Sequence, residues 1–315
     1  MKFFYFAILF SLCFFCGKKN HLEGKDIEKD SPRKKILAPP ILEKKFSEIF
    51  KEEFKAYEGS GVYYKSNEFF IVFDNLDSVG RINSDLTSGQ LLGSKKMKSN
   101  FEGLTFDSIK QKFFILVESS KTNNGFFPEI LELDAKLKLL KRKFVNFELT
   151  KKNKGFEGLV SLHRNGKHFI LALCEGNFCY SDKEKHKGNG RIQVLSETEK
   201  EWGLVAEIIL PSKAAFLDYS DMDIHENKLI ILSQSSSAIW IGDLSETKWE
   251  ITDRGEVLFF PIKKTYAELQ YCNLEGISWI SERKFVAVSD KKNDSQNESC
   301  KEKEQMIHTF DLPYQ

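Results

Sequence analysis

Apolar residues in this chain occur mainly in short, dense runs with polar or turn residues on either side. Residues 113–117, 169–173 and 285–288 are three such runs, rich in Phe, Ile, Leu and Val. Runs of roughly four to eight residues, enriched in aromatic and β-branched side chains, favour strands over helices. Residues 46–57 differ, because their apolar positions recur at helical spacing. They predict a short helix or an irregular segment whose apolar face packs on the domain.

A short phrase containing Glu-Gly and an aliphatic residue occurs at residues 100–106, 155–160 and 273–279. Each copy precedes one of the apolar runs. Each run is followed, at once or after one residue, by an acid: Glu118, Glu175 or Asp290. Two degenerate relatives, at residues 60–64 and 217–224, precede runs that lead to Asp74 and Gln234. Self-similarity at such a period indicates repeated supersecondary units.

The repeats predict an all-β fold, a β-propeller with five blades. When the units are aligned on the acid of the phrase or its equivalent, they start at Ser60, Glu102, Glu157, Asp221 and Glu275. The starts are separated by 42, 55, 64 and 54 residues, and each separation is long enough for a four-stranded blade. An insertion at residues 181–189 would account for the longest step. Six blades is the alternative, but residues 36–58 would have to supply the sixth and contain little strand signal. A pair of β-sandwiches would not explain the repeated phrase.

The beginning of the chain is predicted to be a signal peptide at residues 1–15, with a short basic start and an apolar stretch. Cys16 follows, and the pattern resembles the lipobox of bacterial lipoproteins, in which this cysteine is lipidated. It departs from the lipobox in having Phe15, not a small residue, before the cysteine. Cys13 is a weaker alternative, and an ordinary cleaved signal is another. We expect residues 16–35 to be a flexible tether and residues 36–315 to be a single propeller domain, held at the bacterial cell envelope outside the cytoplasm.

Four cysteines follow the predicted lipidation site, and an even number in an exported chain favours disulfides. Proximity in sequence predicts the pairs Cys174–Cys179 and Cys272–Cys300, one of three possible connectivities; four free thiols is the alternative. These four cysteines include no Cys-x-x-Cys pair and form no Cys/His cluster at zinc spacing, which argues against a zinc site. The net charge of +1 gives no electrostatic reason to expect nucleic acid binding.

Acids at equivalent positions of several units suggest where a function could lie. In a blade, the acid that opens the first strand and the acid that closes the second lie at the same end. We therefore expect carboxylates to gather at one mouth of the central channel: Glu102 with Glu118, Glu157 with Glu175, Glu275 with Asp290, and Asp221 beside Gln234. Such a set of oxygen ligands without His or Cys is typical of a Ca²⁺ site. The alternative is structural, with the acids accepting hydrogen bonds from neighbouring blades.

The Glu-Gly-Leu/Ile phrase, its variant at residues 219–222 and the strands ending in Ser-Asp resemble the SdiA-regulated proteins and the related phytase-like or esterase-like propellers. The similarity covers residues 57–312. It implies an exported or membrane-tethered propeller with calcium-binding acids at Glu102, Glu157, Asp221 and Glu275. Ser60 departs from the family pattern in the first unit.

Two classes of function fit these features. The first is a monomeric lipoprotein, held at the membrane by its lipid anchor, whose propeller mouth binds an unidentified ligand or protein; aromatic residues at 126–127 and 178–180 could contact it. The alternative is a calcium-dependent phosphoester or ester hydrolase. Its catalytic residues are not identifiable, and no Gly-x-Ser-x-Gly motif is present. The cationic candidates for phosphate binding are Arg81, Lys121 and Lys291, and the histidines 163, 168, 186 and 225 are expected to be surface or turn residues.

Overall fold

A computed structural model describes residues 34–52, 54–93, 97, 100–149, 155–176, 179, 190–263 and 268–313. They belong to a compact unit spanning residues 34–315. The predicted signal peptide, Cys16, nearly all of the tether and the insertion at 181–189 lie outside the described residues. Within those ranges, no helix has the length and apolar character needed to traverse a bilayer.

The described strands form five four-stranded antiparallel sheets, which are the blades of a β-propeller and confirm the predicted fold. The elements in chain order are β1 (Leu42–Lys45), α1 (Phe46–Ile49), β2 (Gly59–Lys65), β3 (Glu68–Phe73), β4 (Leu76–Asn83), β5 (Gly89–Leu92), β6 (Phe101–Asp107), β7 (Lys112–Thr122), β8 (Gly125–Asp134), β9 (Leu139–Phe144), β10 (Phe156–Arg164), β11 (Lys167–Cys174), β12 (Arg191–Glu197), β13 (Trp202–Ile209), β14 (Asp221–His225), β15 (Lys228–Ser233), β16 (Ala238–Asp243), β17 (Glu256–Phe259), β18 (Ile262–Lys263), β19 (Glu268–Leu269), β20 (Leu274–Ser281), β21 (Lys284–Ser289) and β22 (Met306–Asp311).

The first four blades are each continuous in sequence: β2–β5, β6–β9, β10–β13 and β14–β17. The fifth blade contains β20, β21 and β22, and its outermost strand is β1 from the other end of the chain. The short hairpin of β18 and β19 connects the fourth blade to the fifth, and two 3-10 helices lie at Ser212–Ala214 and Glu298–Lys303. The first strand of each blade lies nearest the axis.

Burial of the second strand on both faces explains the dense apolar runs. Along β3, Ile71 and Phe73 pack into one cluster between blades, whereas Phe70 and Val72 pack into the cluster on the opposite face. The second strand of the third blade, β11, alternates between two clusters in the same way. Since each blade is packed between two neighbours, its second strand loses the polar alternation of a half-exposed strand. Each fully buried Leu, Ile or Phe contributes about 1.5–3 kcal/mol to stability.

The ring is closed by pairing the two ends of the domain, which the sequence did not predict. β1 pairs antiparallel with β22, with Leu42 opposite Thr309 and Lys45 opposite Met306. The Glu43 carboxylate lies 3.1 Å from Nδ1 of the buried His308. The amide of Leu37 also donates to the carbonyl of Phe259 on the fourth blade, at 2.8 Å. Residues 36–58 therefore complete an existing blade instead of forming a sixth.

The segment with helical spacing forms only one helical turn, α1. Its apolar residues pack on the domain, as predicted, because Phe46, Phe50 and Tyr57 surround Phe73 with ring centroids 5.4, 6.1 and 6.0 Å away. The aromatic cluster belongs to the apolar core between the first and the fifth blade. Tertiary packing, not helix propensity, therefore determines the conformation of this segment.

Candidate metal centre at the mouth of the channel

The acid of the repeated phrase lies at a β-bulge. Phe101 pairs with Val117 and Gly103 with Leu116, so the pairing skips Glu102. The same irregularity occurs at the equivalent positions of three other blades, where the skipped residues are Ser60, Glu157 and Glu275. A bulge re-aims a side chain out of the regular alternation of a strand. The bulge therefore directs each glutamate toward the mouth of the channel.

The glycine of the phrase is required by the close approach of the inner strands. A Cβ atom on Gly276 would lie 2.6 Å from Val288 Cγ2 and 2.8 Å from the Cα of Gly61. One on Gly103 would lie 3.2 Å from the Cα of Gly158. The inner strands thus meet near the axis through their glycines. Steric necessity accounts for the Gly of the phrase, and the bulge accounts for the position of the Glu.

The bulged side chains contribute to a cavity of about 250 Å³. Eight of its twelve lining residues are carboxylates, and the lining comprises Asp74, Asn100, Glu102, Glu118, Glu157, Glu175, Asp218, Tyr219, Ser220, Gln234, Glu275 and Asp290. Six of the seven predicted metal ligands are among them. We call this set the acidic cavity. The acids come from all five blades, so only the closed ring can assemble it.

Within the acidic cavity, the carboxylates of Glu118, Glu157 and Glu175 lie closest to one another, with one oxygen of each within 4.8 Å of the others. Glu118 lies within β7, the second strand of one blade, at an irregularity in its pairing, and Glu157 lies at the start of β10, the first strand of the next, so the cluster joins two blades. Glu118 also accepts a hydrogen bond of 3.4 Å from Asn100, and Glu275 accepts one of 2.8 Å from Gln234.

Two carboxylates of the cavity, Asp74 and Asp218, were not among the predicted ligands. Asp74 follows β3 and is the equivalent of Glu118. Asp218 lies just before β14, and its two oxygens accept hydrogen bonds from the hydroxyl of Ser233, at 2.6 Å, and the amide of Ser235, at 3.0 and 3.1 Å. The loop at residues 235–237 therefore holds an acid at the cavity. Only Asp74 carried a signal in the sequence, as the acid that ends an apolar run.

The alignment of Asp221 with the glutamates is wrong by one residue. Asp221 pairs with Leu232 as Gly276 pairs with Val288, so Asp221 occupies the glycine position and Ser220 the glutamate position. The buried Asp221 side chain accepts hydrogen bonds of 2.8 Å from the amides of Met222 and Ile277. It is not among the residues that line the cavity. Aligning the units on their acids gave the wrong register because the fourth unit has its carboxylate one position later. That carboxylate joins β14 to β20 through the hydrogen bond from Ile277.

The crowding of acids makes their ionisation unfavourable. Burial raises the pKa of Glu102, Glu157 and Glu275 well above the usual carboxyl range, and repulsion from neighbouring carboxylates raises it further. Burial also raises the pKa of Asp290 to about 7, with a contribution from the charge of Glu58. The acids of the cavity therefore retain protons to a higher pH than isolated carboxyl groups do, unless a cation replaces those protons.

The predicted phosphate-binding cations do not line the cavity. Arg81 instead forms an ion pair of 2.7 Å with Glu68 in the first blade, and neither Lys121 nor Lys291 is among the lining residues. In the part of the chain that the structure describes, the lining of the acidic cavity contains no Lys, Arg or His.

Both predicted disulfides are present, and each restrains a segment that carries a cavity acid. Cys174–Cys179 joins the end of β11, directly before Glu175, to the following loop. Cys272–Cys300 joins the approach to β20, which carries Glu275, to the 3-10 helix at Glu298–Lys303. Disulfides are typical of oxidising compartments, so the chain is assigned to a location outside the cytoplasm.

Of the described histidines, His168 departs from the expectation that they are surface or turn residues. His168 is nearly buried, with 6% of its side chain exposed, and it lies beside His163 and Asp107 at the far end of the inner strands. His225 lies next to Trp279, and residue 186 is outside the described residues. Their clustering carried no sequence signal, because it depends on strand register and on contact between two blades.

No protein-family model and no curated protein matches this chain. Solved structures match it at low sequence identity and with TM-scores below 0.5. The PQQ-bound aldose sugar dehydrogenase of Streptomyces coelicolor is 8% identical over 87% of this chain and 99% of its own, with a TM-score of 0.47. Myxococcus xanthus glutaminyl cyclase is 11% identical over 87% and 97%, with a TM-score of 0.48. The calcium-binding protein regucalcin from Agrobacterium tumefaciens is 10% identical over 89% and 98%, with a TM-score of 0.44.

Proposed function

We propose that this protein is an exported, lipid-anchored β-propeller that binds Ca²⁺ in its acidic cavity and uses the bound ion to recognise a ligand or partner protein. The observation that carries the proposal is the convergence of eight carboxylates on a cavity of about 250 Å³ whose described lining includes no cationic side chain. So dense a set of acids must either keep protons or bind a cation.

The donor set fits Ca²⁺ better than a softer metal. Ca²⁺ takes about six to eight oxygen ligands in flexible geometry, and every charged donor in the cavity is a carboxylate. Glu118, Glu157 and Glu175 would form the centre of the site because their oxygens lie within 4.8 Å of one another. Glu102 and Glu275 would neutralise further charge or bind a second ion. A bound cation would supply open positions for an anionic ligand at an otherwise repulsive surface.

A calcium titration tests this function. Calorimetry on residues 34–315 should show binding, and saturating calcium should raise the melting temperature by about 5 °C over a sample with chelator, the shift expected at roughly a hundredfold excess over Kd. Glu157→Gln should raise the melting temperature in chelator, because it removes repulsion, and should reduce the gain from calcium.

Glu48→Gln is the matched control, since Glu48 is exposed on α1 and is not among the cavity lining residues. It should behave as the wild type does. Equal melting temperatures for the wild type in calcium and in chelator, together with no heat of binding, would refute the calcium site.

The lipid anchor rests on the apolar stretch before Cys16 and is supported by the two disulfides of the domain. In a bacterial host, Cys16→Ser should move the full chain from the membrane fraction to the soluble extracytoplasmic fraction. Cys13→Ser should leave it in the membrane fraction. Membrane retention of the Cys16→Ser protein would exclude lipidation at this residue.

A binding protein is favoured over the phosphoester hydrolase that the similarity to phytase-like propellers implies. The described lining supplies no cationic group to hold a phosphate, so a bound metal ion would be its main attraction there. The calcium-loaded protein should therefore show no turnover of a generic phosphomonoester. Turnover that is lost in Glu157→Gln would instead establish the hydrolase.

A further inference from the structure

We propose that Asp107, His163 and His168 form a second metal site, suited to Zn²⁺, at the end of the inner strands opposite the acidic cavity. The inference is independent of the calcium proposal, because the residues and the ligand chemistry are different. His163 follows Glu157 on β10 by six residues, so the two sites are about 20 Å apart along the strand.

The register of one hairpin brings the two histidines together. His163 on β10 and His168 on β11 are directly opposite each other, and their ring centroids are 4.9 Å apart. Asp107 ends β6 of the neighbouring blade and reaches across the blade boundary. The meeting of the three residues therefore depends on both strand pairing and blade packing, because Asp107 is 56 residues from His163 in sequence.

The ligand atoms lie within 4.8 Å of one another, and the two separations that involve Asp107 are close to those of a tetrahedral ion. Asp107 Oδ2 lies 3.0 Å from His163 Nε2 and 3.5 Å from His168 Nε2. Four ligands at about 2.0–2.1 Å from Zn²⁺ are about 3.3 Å from one another. A single ion could thus replace the protons between these atoms with little movement. Two imidazoles and one carboxylate form a donor set that suits zinc and leaves a fourth position open.

The surroundings orient the ligands. Asp107 Oδ1 accepts hydrogen bonds from the amides of Ile109, at 2.8 Å, and Lys110, at 2.9 Å, which leaves Oδ2 for the histidines. Phe114 and Trp202 contact the ring of His168, with centroids 5.2 and 5.8 Å away, and form an apolar wall. Restraint of this kind raises the affinity of a metal site.

Lys110 makes the proposal sharply testable. Its Nζ lies 3.0 Å from His168 Nδ1, and because an ammonium group can only donate, Nδ1 must be the acceptor. The proton of the neutral ring is then on Nε2, the atom that would bind the metal. Metal binding moves the proton to Nδ1 and breaks the bond to Lys110, whose side chain must turn away. Lys110 therefore competes with the ion.

The experiment is a titration of the purified protein with Zn²⁺, and with Co²⁺ as a coloured substitute, in the presence of excess Ca²⁺. We expect one bound ion whose Co²⁺ spectrum has the intense visible bands of tetrahedral coordination. His163→Ala should lower the affinity at least about tenfold. His163 is partly exposed, with 22% of its side chain accessible, so this variant is expected to fold. Lys110→Ala should bind Zn²⁺ more tightly than the wild type.

His225→Ala is the matched control, because His225 ends the inner strand β14 of the next blade and should not affect the ion. A purely structural hydrogen-bond cluster predicts the opposite pattern. Any one of three results would overturn the proposed site. The first is a wild-type protein without a tetrahedral Co²⁺ spectrum, and the second is a folded His163→Ala protein with unchanged zinc affinity. The third is a Lys110→Ala protein whose zinc affinity is unchanged or weaker.

Discussion

In a chelating buffer, the melting temperature of residues 34–315 should fall by about 5–10 °C as the pH rises from about 6.5 to about 8.5, and saturating calcium should remove most of this decline. The fall follows from carboxylates that ionise at higher pH in the folded protein than in the unfolded chain. Burial raises the pKa of Glu102, Glu157 and Glu275 well above 4.5 and that of Asp290 from 3.8 to about 7.

The number of protons bound by the folded and unfolded states determines whether stability rises or falls with pH. Between the unfolded and the folded pKa of such an acid, the folded state binds more protons than the unfolded chain. The free energy of unfolding then decreases by about 1.4 kcal/mol per pH unit for each retained proton. The stability associated with these protons is complete below the unfolded pKa and is lost as the pH rises through the folded pKa. The loss for Asp290 therefore extends from about pH 4 to about pH 7.

Above pH 6.5 the buried histidines contribute little to the pH dependence of stability, so the cavity acids dominate it. Burial lowers the pKa of His308, and it lowers that of His168 to about 4. Both histidines therefore add stability as the pH rises toward 6.5, and they offset the acids below that value. Above pH 6.5 they are neutral in the folded state, and the unfolded chain releases its remaining histidine protons by about pH 7.5, so their opposing effect on the free energy of unfolding disappears within the first pH unit of the window.

Melting curves at a series of pH values measure the effect. Glu275→Gln should reduce the slope in chelator because it removes one of the retained protons, whereas the exposed control Glu48→Gln should keep it. A wild-type melting temperature that is constant from pH 6.5 to 8.5 in chelator would mean that the cavity acids are already ionised without a cation.

Asp221→Ala should lower the free energy of unfolding by about 3–5 kcal/mol and leave calcium affinity unchanged. The buried carboxylate accepts hydrogen bonds from the amides of Met222 and Ile277, and the second of these bonds joins the fourth blade to the fifth. Alanine would leave both amides without this acceptor. For a domain of this size the loss corresponds to about 6–12 °C in melting temperature.

Asp311→Ala is the control for this substitution, because Asp311 is an exposed acid at the end of β22. Chemical denaturation measures the stability, and calcium calorimetry on the folded protein measures the affinity. The combination separates a structural carboxylate from a ligand. If Asp221→Ala lowered the calcium affinity as much as Glu157→Gln does, Asp221 would be a metal ligand, which would contradict the register of β14.

The repeated phrase was a reliable guide to the fold because each of its residues has a local cause. The Glu lies at a bulge, the Gly permits close approach at the axis, and the apolar run that follows is buried on both faces. The same reasoning located Glu118, Glu175 and Asp290, which come after the apolar runs of the second strands and line the cavity. These features repeat in sequence because they repeat around the axis.

Prediction failed where a residue's role depends on contacts between units. Strand β1, which closes the ring, has an exposed and partly charged sequence. It forms a strand because its backbone pairs with the edge of β22. Asp221 looked like the acid of the phrase, but pairing with Leu232 places it at the glycine position. Asp218 is held at the cavity by hydrogen bonds from Ser233 and Ser235, which the repeated phrase does not predict.

The sequence by itself therefore determined the class of fold, the number of blades, the disulfide pairs and most of the acidic cavity, because local periodicity and residue type suffice for each of these. Only the tertiary structure decided the closure of the ring, the true register of the fourth blade and the meeting of Asp107 with His163 and His168. Hydrogen bonds and packing between blades join residues far apart in sequence, and such contacts have no local pattern from which they can be predicted.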